Sequence, residues 1–291
     1  MVGGSDGARA GPRFSVVVPA YNESAFLGEC LQSLASQDFS GTYEVIVIDN
    51  NSTDQTAKIA RLHGATVVGE QHPGVCWARR AGTLVARGEI IVSTDADTTF
   101  DRGWLSRIDQ TFSASPDCVA VAGPCRFLAA PWWGGLFVWL LFHVVHVISL
   151  LTGRVVYVTA TNIAFRKSAW TGYDTNATQG GDELDLLRRL RSRGRIAFDL
   201  GNPCFTSSRR LRQGLAYNLV VTFLYYYLLG YGLNRLLGRP LVGTAPAFRR
   251  ESRSATYGQR LTRIVLTLAA ASVCVAILIA VGRVVTYLAA Q

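Results

Sequence analysis

Charged side chains are scarce in this sequence. Asp, Glu, Lys and Arg make up 17% of its 291 residues, against 49% hydrophobic, and the mean hydropathy is +0.22. So low a charge content excludes an ordinary soluble enzyme, and the polarity that remains excludes a multi-span channel. Acidic residues are scarcer than basic ones, 20 against 29, for a formal net charge of +9. That balance suits nucleic acid, anionic lipid or a phosphorylated substrate. Zinc-finger spacing, RNA-binding signatures and basic-region heptads are all lacking, so no nucleic acid is expected as a partner. The six cysteines, Cys30, Cys76, Cys118, Cys125, Cys204 and Cys274, include no CxxC pair. Disulfide frameworks belong to small secreted chains, so these read as reduced, mostly buried thiols. The opening MVGGSDGARAGPR lacks the apolar core of a signal peptide. Residues 1–12 read as a flexible lead-in, and the body after them as cytoplasmic.

What is present is a regular alternation from Phe14 onward. FSVVVPA (14–20), YEVIVIDN (43–50), ATVVGE (65–70) and the run leading into EIIVSTDAD read as buried strands. Between them SAFLGECLQSLASQ (24–37), STDQTAKIARLHG (52–64) and VCWARRAGTLVARG (75–88) carry apolar residues at helical spacing, with Ser52 as N-cap and Gly64 as stop. Such alternation predicts an α/β fold with a mostly parallel sheet flanked by helices. Ligands bind beyond the carboxyl ends of the strands in such sheets. Asp49, Asp95 and Asp97 all fall at such ends. Two carboxylates in a D-x-D arrangement suit a hard divalent cation, Mn²⁺ or Mg²⁺, held together with substrate phosphates. A structural account also exists, in which Asp97 caps the following turn and Asp95 is a solvated loop residue.

Six stretches in order change that balance: VVVPAYNE (16–23), VIDNNSTDQT (47–56), ARRAGTLVARGEII (78–91), DAD (95–97), TATNIAFRKSAW (159–170) and GDELDLLRRL (181–190). With them the sequence resembles the family 2 glycosyltransferases of the GT-A fold over roughly residues 14 to 210. The resemblance implies that Pro19, Ala20, Tyr21 and Glu23 line the nucleotide pocket and that Asp49 reads the base. Arg79 matches the family's arginine beside the nucleotide, whereas Arg80 stands where Asn is usual. Asp95 is implied to face the ribose or donor sugar, and Asp97 to coordinate the metal bridging the diphosphate. A UDP- or GDP-sugar is the implied donor.

GGDELDLLRRL places Asp182, Glu183 and Asp185 in the first turn of a helix ending in Arg188, Arg189 and Arg191. A helix dipole prefers this charge order, which is one explanation. In the family an acidic pair here supplies the general base, so Glu183 matches the base by position and Asp182 is its close second. A base favours a hydroxyl acceptor, since a phosphate acceptor needs no deprotonation. The processive Q-x-x-R-W motif is missing; TSSRRLRQG (206–214) occupies its region, with Arg209 or Arg210 set either to meet the donor diphosphate or to flank a membrane segment. His143 and His146, three apart, read as a polar helical stripe.

Three apolar segments follow a topological constraint. PWWGGLFVWLLFHVVHVISLL (131–151) is long enough to span a bilayer, yet it separates the nucleotide motifs from Glu183, which must meet in one site. It is therefore expected to be an interfacial or re-entrant insert, or a buried helix. Residues 264–282 carry no charge and are expected to be a transmembrane helix. The segment 214–237 is expected to be re-entrant, interfacial or spanning. The combined expectation is a GT-A catalytic domain over 13–210 and a membrane-associated region over 211–291, with the catalytic domain on the cytoplasmic face of the cell membrane. The expected activity is metal-dependent, inverting transfer of a single sugar to a lipid or lipid-linked hydroxyl. Transfer to a polyprenyl phosphate and a non-catalytic membrane scaffold are the alternatives.

Overall fold

The computed structural model describes residues 11–175 and 182–218, with isolated positions 220, 221, 225, 265 and 272. The expected transmembrane helix at 264–282, most of 214–237 and the lead-in up to residue 10 lie outside the described residues.

The chain divides into two compact units. The first comprises 1–126, 138–173 and 183–206. It opens with β1 (Phe14–Ala20), α1 (Leu27–Ala35), β2 (Tyr43–Asp49), α2 (Thr56–Leu62), β3 (Thr66–Gly69), α3 (Val75–Val85) and β4 (Ile90–Ser93). This is the alternation expected from the periodicity. Strands β1 and β4 are buried along nearly their whole length because helices cover the sheet, which is why they read as unbroken β-branched runs. One local expectation fails. Helix α2 starts at Thr56 behind Gln55 with no side-chain cap, because the Ser52 hydroxyl instead accepts from the Asn22 amide at 3.0 Å. Gly64, with φ +75°, does end that helix.

The chain continues with β5 (Thr98–Phe100), α4 (Trp104–Ala114), β6 (Cys118–Ala122), β7 (Cys125–Leu128), α5 (Trp132–Thr152), β8 (Ile163–Arg166), α6 (Asp182–Arg191), β9 (Arg195–Phe198) and β10 (Cys204–Ser207). The main sheet runs β3-β2-β1-β4-β8-β6-β9. β8 alone is antiparallel to its neighbours, β4 and β6. A second, three-stranded sheet has the order β5-β10-β7. Its strands span three or four residues each, too short to show a period in sequence.

Alternate strand residues from one face of the sheet join helix side chains in a core cluster that includes Val17, Ile48, Ala78, Ile91, Phe165 and Leu187. The close approach of α3 to the sheet depends on Gly82, where an added Cβ would stand 2.3 Å from Val17 Cγ1 and 3.1 Å from Ile48 Cγ1. A second anchor is Asn162. Its Oδ1 accepts from Trp104 Nε1 at 3.0 Å, and its Nδ2 donates to the carbonyls of Pro124 and Asn202, each at 2.9 Å.

Helix α5 has no charged residue. In this unit Val138, Phe142 and Val145, spaced one helical turn apart, are buried. Phe142 lies 6.0 Å from Phe198 and 6.2 Å from Tyr157, centroid to centroid. Trp139, Leu140, Val144, Val147 and Leu151 are exposed. His143 faces the Trp139 carbonyl at 2.7 Å and His146 lies against Phe198, so each histidine has a structural neighbour.

The second unit comprises 127–137, 174–182 and 207–291. Among its described residues Ser208 Oγ donates to the Ala129 carbonyl at 3.2 Å, and Asn218 Nδ2 donates to the Arg210 and Gly214 carbonyls.

Gly82→Ala is expected to destabilise the protein by about 1–3 kcal/mol through overpacking against Val17 and Ile48. Chemical denaturation of the full chain in detergent checks it; an unchanged midpoint would mean that α3 shifts freely on the sheet.

Candidate functional site

The site is built where parallel strands β2, β1 and β4, neighbours in the sheet, reach their carboxyl ends. β1 pairs with β2 so that Ala20 stands beside Asp49. Beyond them the two loops are stitched together. Asn22 takes φ +54°, a value its short polar side chain tolerates, and its Oδ1 accepts from the Thr53 amide at 2.7 Å. The Glu23 amide donates to Thr56 Oγ1 at 2.9 Å and the Ser24 amide to Asp54 Oδ2 at 3.2 Å. Pro19, Ala20, Tyr21 and Glu23 thus belong to one rim with 49–56. Asp49, half-buried, receives the Ser52 amide on Oδ1 at 3.0 Å.

Asn50 braces the rim from beneath. It is buried; its Nδ2 donates to the carbonyls of Glu70 and His72 at 2.9 and 2.7 Å, and its Oδ1 accepts from the Gly74 amide at 2.8 Å. The loop from β3 to α3 is thereby held beside Asp49. Arg80 lies exposed on that side, 5.6 Å over the Trp77 ring. Trp77 in turn stacks on His72 at 4.4 Å.

The D-x-D segment follows β4. Arg79 projects from α3 with its guanidinium Nη2 on Asp95 Oδ1 at 2.8 Å and its Nε on Ser93 Oγ at 3.2 Å. The Arg79 side chain is 5% exposed and that of Asp95 36%. The arginine is thus sealed behind a carboxylate whose outer part stays open. From the other side Thr161 Oγ1 donates to Asp95 Oδ2 at 2.9 Å. Asp97 receives a long, weak contact of 3.4 Å from Thr206 Oγ1 on β10. Both oxygens of Asp95 are therefore tied.

Three buried thiols surround this segment. Burial raises Cys30, Cys125 and Cys204, and the charges of Asp95 and Asp97 push the same way; Cys125 is pushed up to about 12. Burial thus disfavours the thiolate form of all three. The carboxylate oxygens of Asp95 and Asp97 are the donors here that suit a hard divalent cation.

Glu183 is buried in the first turn of α6. Its neighbour Asp185 is occupied by the helix's own arginines, with Arg188 at 3.0 Å and Arg189 at 2.6 Å. The dipole-ordered charges thus account for Asp185. Asp182 opens α6, and its side chain lies outside the described residues. Arg209 and Arg210 stand in a 3₁₀ turn, Arg209–Gln213, of the second unit.

Sequence reasoning singles out neither Asn50 nor Thr161 as individuals, although both lie inside the stretches that carry the resemblance. Their partners are 20 to 66 residues away, and no local signal announces such pairings.

A model of glycosyl transferase family 2 matches residues 15–171. An uncharacterized glycosyltransferase of Mycobacterium tuberculosis is 37% identical over 124 residues, covering 42% of this chain and 55% of the relative. Glycosyltransferase AglE of Haloferax volcanii is 32% identical over 111 residues, covering 36% of each. The chain thus spans about half the length, or less, of these relatives. Among solved structures, a mannosyltransferase from Pyrobaculum calidifontis in complex with GDP-Man and Mn²⁺ superposes with a TM-score of 0.58 at 20% identity, covering 95% of this chain and 81% of that one. Staphylococcus aureus TarS in complex with UDP-GlcNAc gives 0.57 at 19%, covering 67% and 58%. At these identities the superpositions establish the GT-A fold.

The rim's stitching is expected to depend on pH. Burial alone would raise Asp54, but hydrogen bonds from Thr56 and Ser24 outweigh it and hold the carboxyl below its usual value. A carboxylate whose pKa is lowered by folding stabilises the protein above the unfolded value, about 3.9, and that contribution is lost as pH falls through the folded value. The unfolding midpoint of the native protein should therefore exceed that of Asp54→Asn at pH 7, with the gap closing towards pH 3. A gap constant with pH would show that the carboxylate charge is not what holds the loops.

Proposed function

The chain belongs to glycosyl transferase family 2, and from that membership we propose that it transfers a single sugar from a nucleotide sugar to a lipid or lipid-linked hydroxyl at a membrane surface. The observation that carries the reading is the convergence of Asp49, Asp95 and Asp97 at the carboxyl ends of adjacent parallel strands, the crevice where α/β sheets bind ligands. Solved structures of similar fold hold UDP-GlcNAc, or GDP-Man with Mn²⁺, which supports a nucleoside diphosphate as the leaving group.

In this reading Pro19, Ala20, Tyr21 and Glu23 line the nucleotide pocket, and Asp49 accepts a hydrogen bond from the base. Asp95 seats the ribose or donor sugar. Arg79, sealed behind Asp95, acts on the donor through that carboxylate. Asp97, two residues beyond Asp95 after β4, would hold a divalent cation, Mn²⁺ or Mg²⁺. Such a cation supplies charge neutralisation for the departing diphosphate, worth several kcal/mol.

The chemistry is a direct displacement with inversion. The acceptor hydroxyl oxygen forms a bond to the anomeric carbon, and its proton passes to the Glu183 carboxylate, with Asp182 as second candidate. The bond from the anomeric carbon to the diphosphate oxygen breaks, and its electron pair leaves with the nucleoside diphosphate. General base catalysis of this kind contributes about 10²–10⁴-fold. Glu183 suits the role because burial shields it, whereas Asp185 is already neutralised by two arginines.

Membrane association is supported by α5. It is long and apolar enough to cross a bilayer, yet one stripe of it packs into the catalytic unit while the opposite arc exposes Trp139, Leu140, Val144, Val147 and Leu151. A helix committed on one face and apolar on the other fits an interfacial position, with the acceptor's lipid at hand. The catalytic unit then sits on the cytoplasmic face.

Nucleoside diphosphate release from a panel of nucleotide sugars, in detergent with native lipids, tests the chemistry. Release is expected from one donor only with Mn²⁺ or Mg²⁺, to be abolished by chelator and in Asp97→Ala, and to fall about 10²–10⁴-fold in Glu183→Gln with donor binding retained. Near-normal turnover in Glu183→Gln/Asp182→Asn would move the reading to an anionic phosphate acceptor. For the membrane, brominated acyl chains in proteoliposomes are expected to quench tryptophan emission, less so in Trp139→Phe. Equal quenching would put that ring in water.

A further inference from the structure

We propose that Thr161 is a positioning residue that aims the Asp95 carboxylate at the donor. The proposal rests on the reading of Asp95 as a donor-seating group and adds a residue to it. An aspartate at a strand end has two rotatable side-chain bonds, and one tether leaves the carboxylate free to turn about it. Here each oxygen has a separate holder. Arg79 on α3 takes Oδ1 at 2.8 Å, and Thr161, from the segment leading into β8, takes Oδ2 at 2.9 Å. Two donors from elements far apart in sequence fix both the position and the plane of the group.

The direction of the Thr161 hydrogen bond is itself set. Thr159 Oγ1 donates to Thr161 Oγ1 at 3.1 Å, so the single Thr161 proton is left to point at Asp95. Chained donors of this kind strengthen one another. The backbone beneath is equally firm. Thr161 is buried, and the carbonyl of the next residue, Asn162, accepts from the Gly123 amide at 3.1 Å while its side chain makes the contacts to Trp104, Pro124 and Asn202 already described. A Cβ at Gly123 would meet Asn162 Nδ2 and the Asn202 carbonyl, each at 2.5 Å. The threonine is thus mounted on a tightly packed support, as a group that must hold another in a productive orientation requires.

A purely structural threonine would cost stability when altered and leave donor affinity alone. A positioning threonine does the reverse. Thr161→Val keeps the shape and removes the hydroxyl; Thr161→Ser keeps the hydroxyl and removes a methyl. Calorimetric binding of UDP-GlcNAc, UDP-glucose and GDP-mannose with Mn²⁺, to the full chain in detergent, is the readout. Thr161→Val is expected to weaken the bound donor by about tenfold or more, the effect of losing a hydrogen bond to a charged group. Thr161→Ser is expected to restore native affinity, and the Mn²⁺ half-saturation concentration to stay unchanged in both. In an Asp95→Asn background the valine should add almost nothing, because the two residues act as one unit. Native affinity in Thr161→Val, or an effect that is additive with Asp95→Asn, overturns the proposal while leaving the donor reading in place. A native protein that binds none of these donors overturns the donor reading and this proposal with it.

Discussion

A buried guanidinium facing a half-open carboxylate sets the terms for the candidate site. Arg79 has almost no solvent of its own, so its charge has to be met inside the protein, and Asp95 meets it. Removing one partner of such a pair costs far more than the pair contributes, because the survivor is left uncompensated. That constraint fixes helix α3 to the end of strand β4. Thr161 closes the arrangement from the segment leading into β8, the strand that pairs antiparallel with β4.

The rim opposite depends on a different kind of bond. Asn22, Ser52, Asp54 and Thr56 satisfy backbone amides that no strand or helix can satisfy, since both loops have left the sheet. Asn50 serves the loop after β3 likewise, donating to the Glu70 and His72 carbonyls and accepting from the Gly74 amide. Small polar residues cluster in these loops because each carries a short side chain able to reach a nearby main-chain group. The result is a loop edge held in a fixed shape by hydrogen bonds between 22–24 and 52–56.

Helix α5 illustrates how one sequence feature answers two demands. Its charge-free run reads as a candidate span by length alone. In the fold it contributes Val138, Phe142 and Val145 to the core around Tyr157 and Phe198. The opposite arc, with Trp139, Leu140, Val144, Val147 and Leu151, stays exposed.

The order and type of the first strands and helices were legible in the sequence, because burial on both sheet faces leaves β-branched runs and helices leave a period of their own. So were Asp49, Asp95 and Asp97, since a carboxylate directly after a buried strand stands out locally. The short second sheet, the reversal of β8 and the true start of α2 were not legible. Strands of three or four residues carry no period, and the Ser52 hydroxyl was claimed by an amide 30 residues away. The same holds for the roles of Arg79, Asn50 and Thr161. Sequence alone marks which residue types stand where chemistry is possible. Only tertiary structure decides which of them face each other, because those pairings join segments whose separation along the chain has no bearing on their distance in space.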